Sequence, residues 1–168
     1  EYSSDIIAID DYQPKNKYGI TNKSKSIWGV KDNKLTNINE FTNRIDKFIN
    51  SYVTLCSVPP SKKNKVSGID KIIYELSRLN VNRVNGGCMK NFNKEDFKNS
   101  FLIRIKDMEE QRTTRHEYEQ ISESIEVNKK QIKKIEGKNI LLIDDVTTKG
   151  TTFKVCFDKL NEMKANRV

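Results

Sequence analysis

The 168-residue chain carries 31 lysines and arginines against 23 aspartates and glutamates, a formal net charge of +8, and is long enough for one domain with a sizeable core. That balance favours an anionic partner, either a polyanionic small molecule or a nucleic acid. No run of about eighteen apolar residues occurs, so no membrane partner is expected, and Cys56, Cys88 and Cys156, odd in number and far apart, support neither a zinc site nor a disulfide framework and fit a reducing, cytoplasmic location.

In chain order, residues 1–38 read as an accessory segment, a small β unit or a hood over a site. Within it residues 6–9, Tyr18 and residues 27–30 are candidate strands, and residues 10–14 a turn. Asp10 and Asp11 follow an apolar stretch, but no glycine-threonine loop or helix comes after them, so they read as structural. The core, 39–168, opens with a helix capped by Asn39 and running to about Asn50, with Phe41, Ile45, Phe48 and Ile49 on one face. Residues 52–56 are rich in β-formers and stop at Val58-Pro59-Pro60-Ser61-Lys62-Lys63-Asn64-Lys65, where the prolines forbid a continued central strand and lysines gather at its C-terminal end. A second helix opens at Ser67-Gly68-Ile69-Asp70 and buries Ile69, Ile72, Ile73, Leu76 and Leu79.

Asn85-Gly86-Gly87 breaks the chain, and residues 91–99 form a polar connector. Residues 101–105 are β-prone and lead into the densely charged stretch 106–120, which reads as a solvated helix or, through Arg112 and Arg115, as a source of phosphate contacts; His116 there reads as a surface residue. A short strand at 125–127 and a basic turn at 129–134 precede four consecutive aliphatic residues, 140–143, which suit a strand buried on both faces of a parallel sheet. That strand ends in Asp144-Asp145, where open α/β sheets place their ligands. Thr147-Thr148-Lys149-Gly150-Thr151-Thr152 follows and runs into a helix with Phe153, Cys156, Phe157, Leu160 and Met163 on one face. Unpaired amides, threonine hydroxyls and the positive dipole end make such a loop a phosphate site. Residues 165–168 read as the start of another strand, so the core is expected to continue beyond them.

Strand, acid pair and loop resemble the signature of the type I phosphoribosyltransferases. The resemblance implies an α/β fold with a central, mainly parallel sheet and helices on both faces, strands 53–56 and 140–143 being interior. It implies that Asp144 and Asp145 bind the ribose hydroxyls of phosphoribosyl pyrophosphate (PRPP), that 148–152 binds its 5′-phosphate, and that Mg²⁺ bridges ribose and pyrophosphate. Thr147 stands where an aliphatic residue is usual, Lys149 where a small or hydroxylated one is, and Thr148 where purine-salvage members carry a catalytic Asp. The loop at 58–65 is similar to the Val-Pro loop of the ComF-like branch, which implies pyrophosphate contacts from Pro59, Ser61, Lys62 and Lys63; Ser67 replaces an arginine, and Arg104, Lys106 and Gln111 resemble that branch's basic stretch, which implies that 106–120 is a lid over the pyrophosphate with Arg112 and Arg115 as its phosphate contacts.

The activity so implied is transfer of the phosphoribosyl group to a nitrogen nucleophile, a base or amine that the sequence does not specify. A PRPP or nucleotide sensor or adaptor without turnover, in DNA uptake or defence, is a second reading. A basic nucleic-acid-binding domain is a third, resting on net charge alone.

Overall fold

The structure, a computed structural model, describes residues 22–32, 34–47, 49, 53–79, 100–108, 117–147 and 149–168. Its centre is a parallel pair, β1 (Val53–Ser57) beside β4 (Asn139–Ile143), in a register that sets Leu55 against Leu141 and Ser57 against Ile143. On the other side of β4, Arg167 forms a parallel bridge to Asn139, and its carbonyl accepts from the Ile140 amide at 2.7 Å. β4 thus pairs with β1 along its length and, at its first residue, with Arg167 on the other side.

Alternation along these strands gives the sheet two apolar faces. Leu55 and Ile143 join Val30, Ile38, Ile45 and the buried face of α3 (Gly68–Leu79). That cluster is built from α1 (Asn22–Lys31), α2 (Leu35–Asp46) and α3. Cys56 and Ile140 point the other way, into a cluster with Phe101, Leu102, Ile121, Ile125, Val155, Cys156 and Leu160. That side is covered by α5 (Thr151–Glu162), α4 (Glu117–Ser124) and a separate antiparallel pair, β2 (Leu102–Arg104) with β3 (Ile125–Val127). The result is a mixed α/β architecture in which a small parallel sheet has helices on both faces. The 129–134 turn is a 3₁₀ helix, capped by the Asn128 side chain accepting from the Lys130 amide at 3.1 Å.

Several sequence expectations need correction. Residues 27–30 are helical, not a strand: Ile27 and Val30, three apart, are both buried, and that packing overrides the β preference of Ile, Trp and Val. Asn39 does not cap α2, which starts four residues earlier at Leu35 and ends at Asp46, short of Asn50. Burial of Ile38 explains the early start, since it extends the stripe of Thr42 and Ile45 backwards by one turn. On α5 the buried residues are Val155, Cys156 and Leu160, while Phe153 and Met163 pack at the margin, so the face is rotated from the aromatic-based reading. The expected elements at 6–9, 10–14, Tyr18, 85–87 and 91–99 lie outside the described residues.

The junction of α1 with α3 depends on a missing side chain. A Cβ on Gly68 would lie 2.0 Å from the Val30 carbonyl oxygen, a backbone atom with no room to give. Gly68→Ala is expected to push α1 off α3 and lower stability by about 1–3 kcal/mol, the usual range for overpacking. Urea denaturation checks it, and an unchanged midpoint would mean that the two helices are not in this contact.

Candidate functional site at the C-terminal edge of the sheet

Because β1 and β4 are parallel neighbours, the loops that follow them leave the same edge side by side. The Val58 amide donates to the Ile143 carbonyl at 2.9 Å, so the Pro59-Pro60 loop starts next to Asp144. The first loop is held from beneath. Arg104, only 6% exposed, donates through Nε to the Pro60 carbonyl at 2.8 Å, through Nη2 to the Pro59 carbonyl at 3.1 Å, and through Nη1 to the Ser124 hydroxyl. Farther along, the Met108 amide donates to the Ser61 carbonyl at 2.8 Å and the Lys63 amide to Asp107 Oδ1 at 2.6 Å. Three successive carbonyls thus turn inward, and Ser61, Lys62 and Lys63 are left exposed at the rim. At the far end of the loop the Ser67 hydroxyl accepts from the Asp70 amide at 3.1 Å while the Ser67 amide donates to Asp70 Oδ2 at 2.8 Å, a capping box that opens α3. Buried Asp70 also accepts from the Ser57 hydroxyl at 2.7 Å, tying the end of β1 to that cap. Ser67, a departure from the arginine of the family it resembles, is therefore a cap.

In the second loop Asp144 and Asp145 are both half-buried, and the Asp145 amide donates to Asp144 Oδ1 at 2.8 Å. Thr147 and Lys149 are exposed, whereas Gly150, Thr151 and Thr152 are half-buried at the head of α5. Gly150 sits in the left-handed region at φ 75°, as a glycine in that turn should, and its carbonyl receives the Lys154 amide at 2.8 Å. Lys149 extends to Glu117 at the start of α4, with Nζ 3.2 Å from Oε2.

One cation in the site was not foreseen. Lys31, the last residue of α1, places its ammonium 3.8 Å from Asp145 Oδ2. Glu117 and the loop-holding function of Arg104 were likewise unread, although Ser-x-x-Asp at 67–70 was an available cap signal. Lys106 turns to Glu123, 3.6 Å away, and not to the rim. Of the expected contacts, Pro59, Ser61, Lys62, Lys63, Asp144, Asp145, Thr147, Lys149, Gly150, Thr151 and Thr152 gather at this edge. Thr148, Arg112, Arg115 and His116, with most of the expected lid, lie outside the described residues.

The electrostatics set the acid pair apart. Burial raises the Asp144 carboxyl from 3.8 to about 7 and the Asp145 charge raises it too, against the opposing pull of the Asp145 amide, Lys31 and Arg104. A folded-state pKa above the unfolded value means that the native state holds the proton more tightly, so this contribution to stability is full below about pH 4 and is lost as pH rises through about 7. Stability measured by urea unfolding should fall between these limits, and Asp144→Asn should flatten the fall; an equal slope in both proteins would place the titration elsewhere. Beneath the acids, burial pushes the Cys156 thiol up to about 12 and that of Cys56 well above its ordinary value. Both are free, buried and protonated at neutral pH, and act as small apolar residues and not as nucleophiles.

No family model, curated protein or solved structure matches the chain. Among the described residues no group of three or more His, Cys, Asp or Glu side chains could hold a metal ion, and no helix is long and apolar enough to cross a membrane.

Proposed function

We propose that this edge binds PRPP and that the protein is a phosphoribosyltransferase of the type I kind, transferring the phosphoribosyl group to a nitrogen nucleophile with release of pyrophosphate. The observation that carries the reading is the placement of two loops at one strand edge. One is an acid pair running through a glycine turn into a helix N-terminus, and the other a proline loop with lysines at its rim.

Each part answers to one region of the ligand. Asp144 and Asp145 accept hydrogen bonds from the vicinal ribose hydroxyls, and the amides and hydroxyls of 147–152 hold the 5′-phosphate at the head of α5. Lys62 and Lys63, with Pro59 and Ser61 shaping their loop, face the pyrophosphate. Departure of pyrophosphate leaves a cation-like ribose carbon, so catalysis requires the leaving group neutralised and the ribose held rigidly. Two adjacent carboxylates suit Mg²⁺, which prefers oxygen ligands and keeps waters and phosphate oxygens in its shell; Asp144 and Asp145 would hold it, directly or through water, and it would supply charge neutralisation on the pyrophosphate.

The experiment is release of pyrophosphate from PRPP, with Mg²⁺, across a panel of nucleobases and amines. One or more acceptors should give release that is lost in a Lys62→Gln/Lys63→Gln variant. PRPP bound without turnover by any acceptor would leave a sensor or adaptor, and no binding would remove the reading altogether.

A further inference from the structure

The opposite end of β4 carries a different kind of surface. Lys129, Lys130, Lys133 and Lys134 of the 3₁₀ helix and Lys138 at the entrance to β4 are all exposed, and among the described residues none has a carboxylate within ion-pair distance. The C-terminal turn adds Lys164 and Arg167, also exposed. Backbone bonds fix this turn against the lysine segment, from the Gly137 amide to the Lys164 carbonyl at 2.8 Å and from the Asn166 amide to the Lys138 carbonyl at 2.9 Å. Over 125–139 and 162–168 seven basic residues meet three acidic ones, of which Glu136 lies 3.8 Å from Lys164. β4 separates this surface from the acid pair by its own length, roughly 16 Å at the usual rise per residue.

We infer that this basic surface is a second binding site, for the phosphate backbone of a nucleic-acid duplex. Its chemistry selects that occupant. No aromatic residue occurs in either segment, so it offers no stacking platform for the bases of a single strand. Its exposed residues are lysines, an arginine, asparagines, glutamates and a glycine, with no exposed large hydrophobic side chain to enter a bilayer. Asn139 and Asn166, joined by a 2.7 Å bond between their amides, add the polar groups that phosphate and sugar contacts use. The two lysine pairs of the 3₁₀ helix are offset by four residues, about 8 Å at the rise of such a helix. Three successive phosphates of one strand cover a comparable span along the duplex axis, two steps of about 3.4 Å. Phosphate and sugar contacts position a duplex without reading its sequence, so a mixed-sequence duplex is a sufficient ligand.

Fluorescence anisotropy with a labelled mixed-sequence DNA duplex tests this. The full chain should bind with an affinity that falls with salt at a log–log slope of roughly −4 to −6, one phosphate contact contributing about −0.9. A Lys129→Gln/Lys130→Gln/Lys133→Gln/Lys134→Gln variant, checked by circular dichroism for an unchanged melt, should bind at least about tenfold more weakly, with the slope reduced by roughly 3–4. Lys25→Gln/Lys34→Gln/Lys47→Gln, which removes exposed lysines from the α1–α2 side, should change the affinity by less than about twofold, since those helices pack on the opposite face of the sheet from Ile135 at the end of the 3₁₀ helix and intervening salt screens their charges. Absence of duplex binding, an unaffected quadruple variant, an equal loss in the α1–α2 variant, or binding to phosphatidylcholine–phosphatidylserine vesicles without duplex binding would each overturn the inference.

Discussion

Asp145→Asn is expected to weaken PRPP binding by roughly ten- to a hundredfold, the effect of losing a hydrogen bond to a charged group. The fold should survive. Asp145 is half-buried at a strand end, and its ion pair with Lys31 is long, 3.8 Å, with side chains 26% and 44% exposed. Such pairs contribute at most about 1 kcal/mol. The same substitution should move the neighbouring acid the other way: the Asp145 charge raises the Asp144 pKa, so removing it lowers the midpoint below about 7. Carbon-detected titration of the Asp144 carboxyl and calorimetry with PRPP measure the two effects separately. Unchanged affinity alongside a shifted Asp144 midpoint would show that the acids interact but do not hold the ligand.

Arg104→Met is expected to cause the largest loss of stability, about 2–4 kcal/mol, because it leaves buried acceptors without a donor. The Pro59 and Pro60 carbonyls both accept from the one guanidinium, which also donates to the Ser124 hydroxyl. Burial lowers the pKa of that group from its ordinary value, and Asp144 acts in the opposite direction, so cation and acid sit within each other's field. Removing Arg104 should therefore also raise the Asp144 midpoint. Arg104→Lys keeps the charge but not the three-way fork, so it should preserve most of the midpoint while still releasing the loop. Exchange of the Lys63 and Met108 amides, which are bonded to Asp107 and Ser61, reports that release directly. Protection of both amides in the Met variant would mean that the loop is held without Arg104.

Much of the architecture was legible because it rests on short-range pattern. The aliphatic run at 140–143 and the β-formers at 53–56 could satisfy their backbones and bury both faces only inside a sheet, and each led through a loop into a helix with apolar spacing. The parts that were not legible depend on contacts between distant residues. Nothing local distinguishes Lys31 from the chain's other lysines; it reaches Asp145 because Gly68 lets α1 close on α3. Arg104 reads as one more cation in a basic stretch, yet its position in β2, opposite Ile125 of β3, buries it under the proline loop. Residues 27–30 favoured a strand by composition and became a helix because Ile27 and Val30 share one buried face.

The most direct measurement is calorimetric titration of the protein with PRPP and Mg²⁺, run beside ribose 5-phosphate and against the Asp145→Asn variant. Saturable binding of PRPP, weaker binding of ribose 5-phosphate because it lacks the pyrophosphate that Lys62 and Lys63 face, and a roughly ten- to a hundredfold loss in the variant are the results predicted here. No saturable binding of PRPP, or equal affinity in protein and variant, would contradict the assignment of this strand edge as a PRPP site.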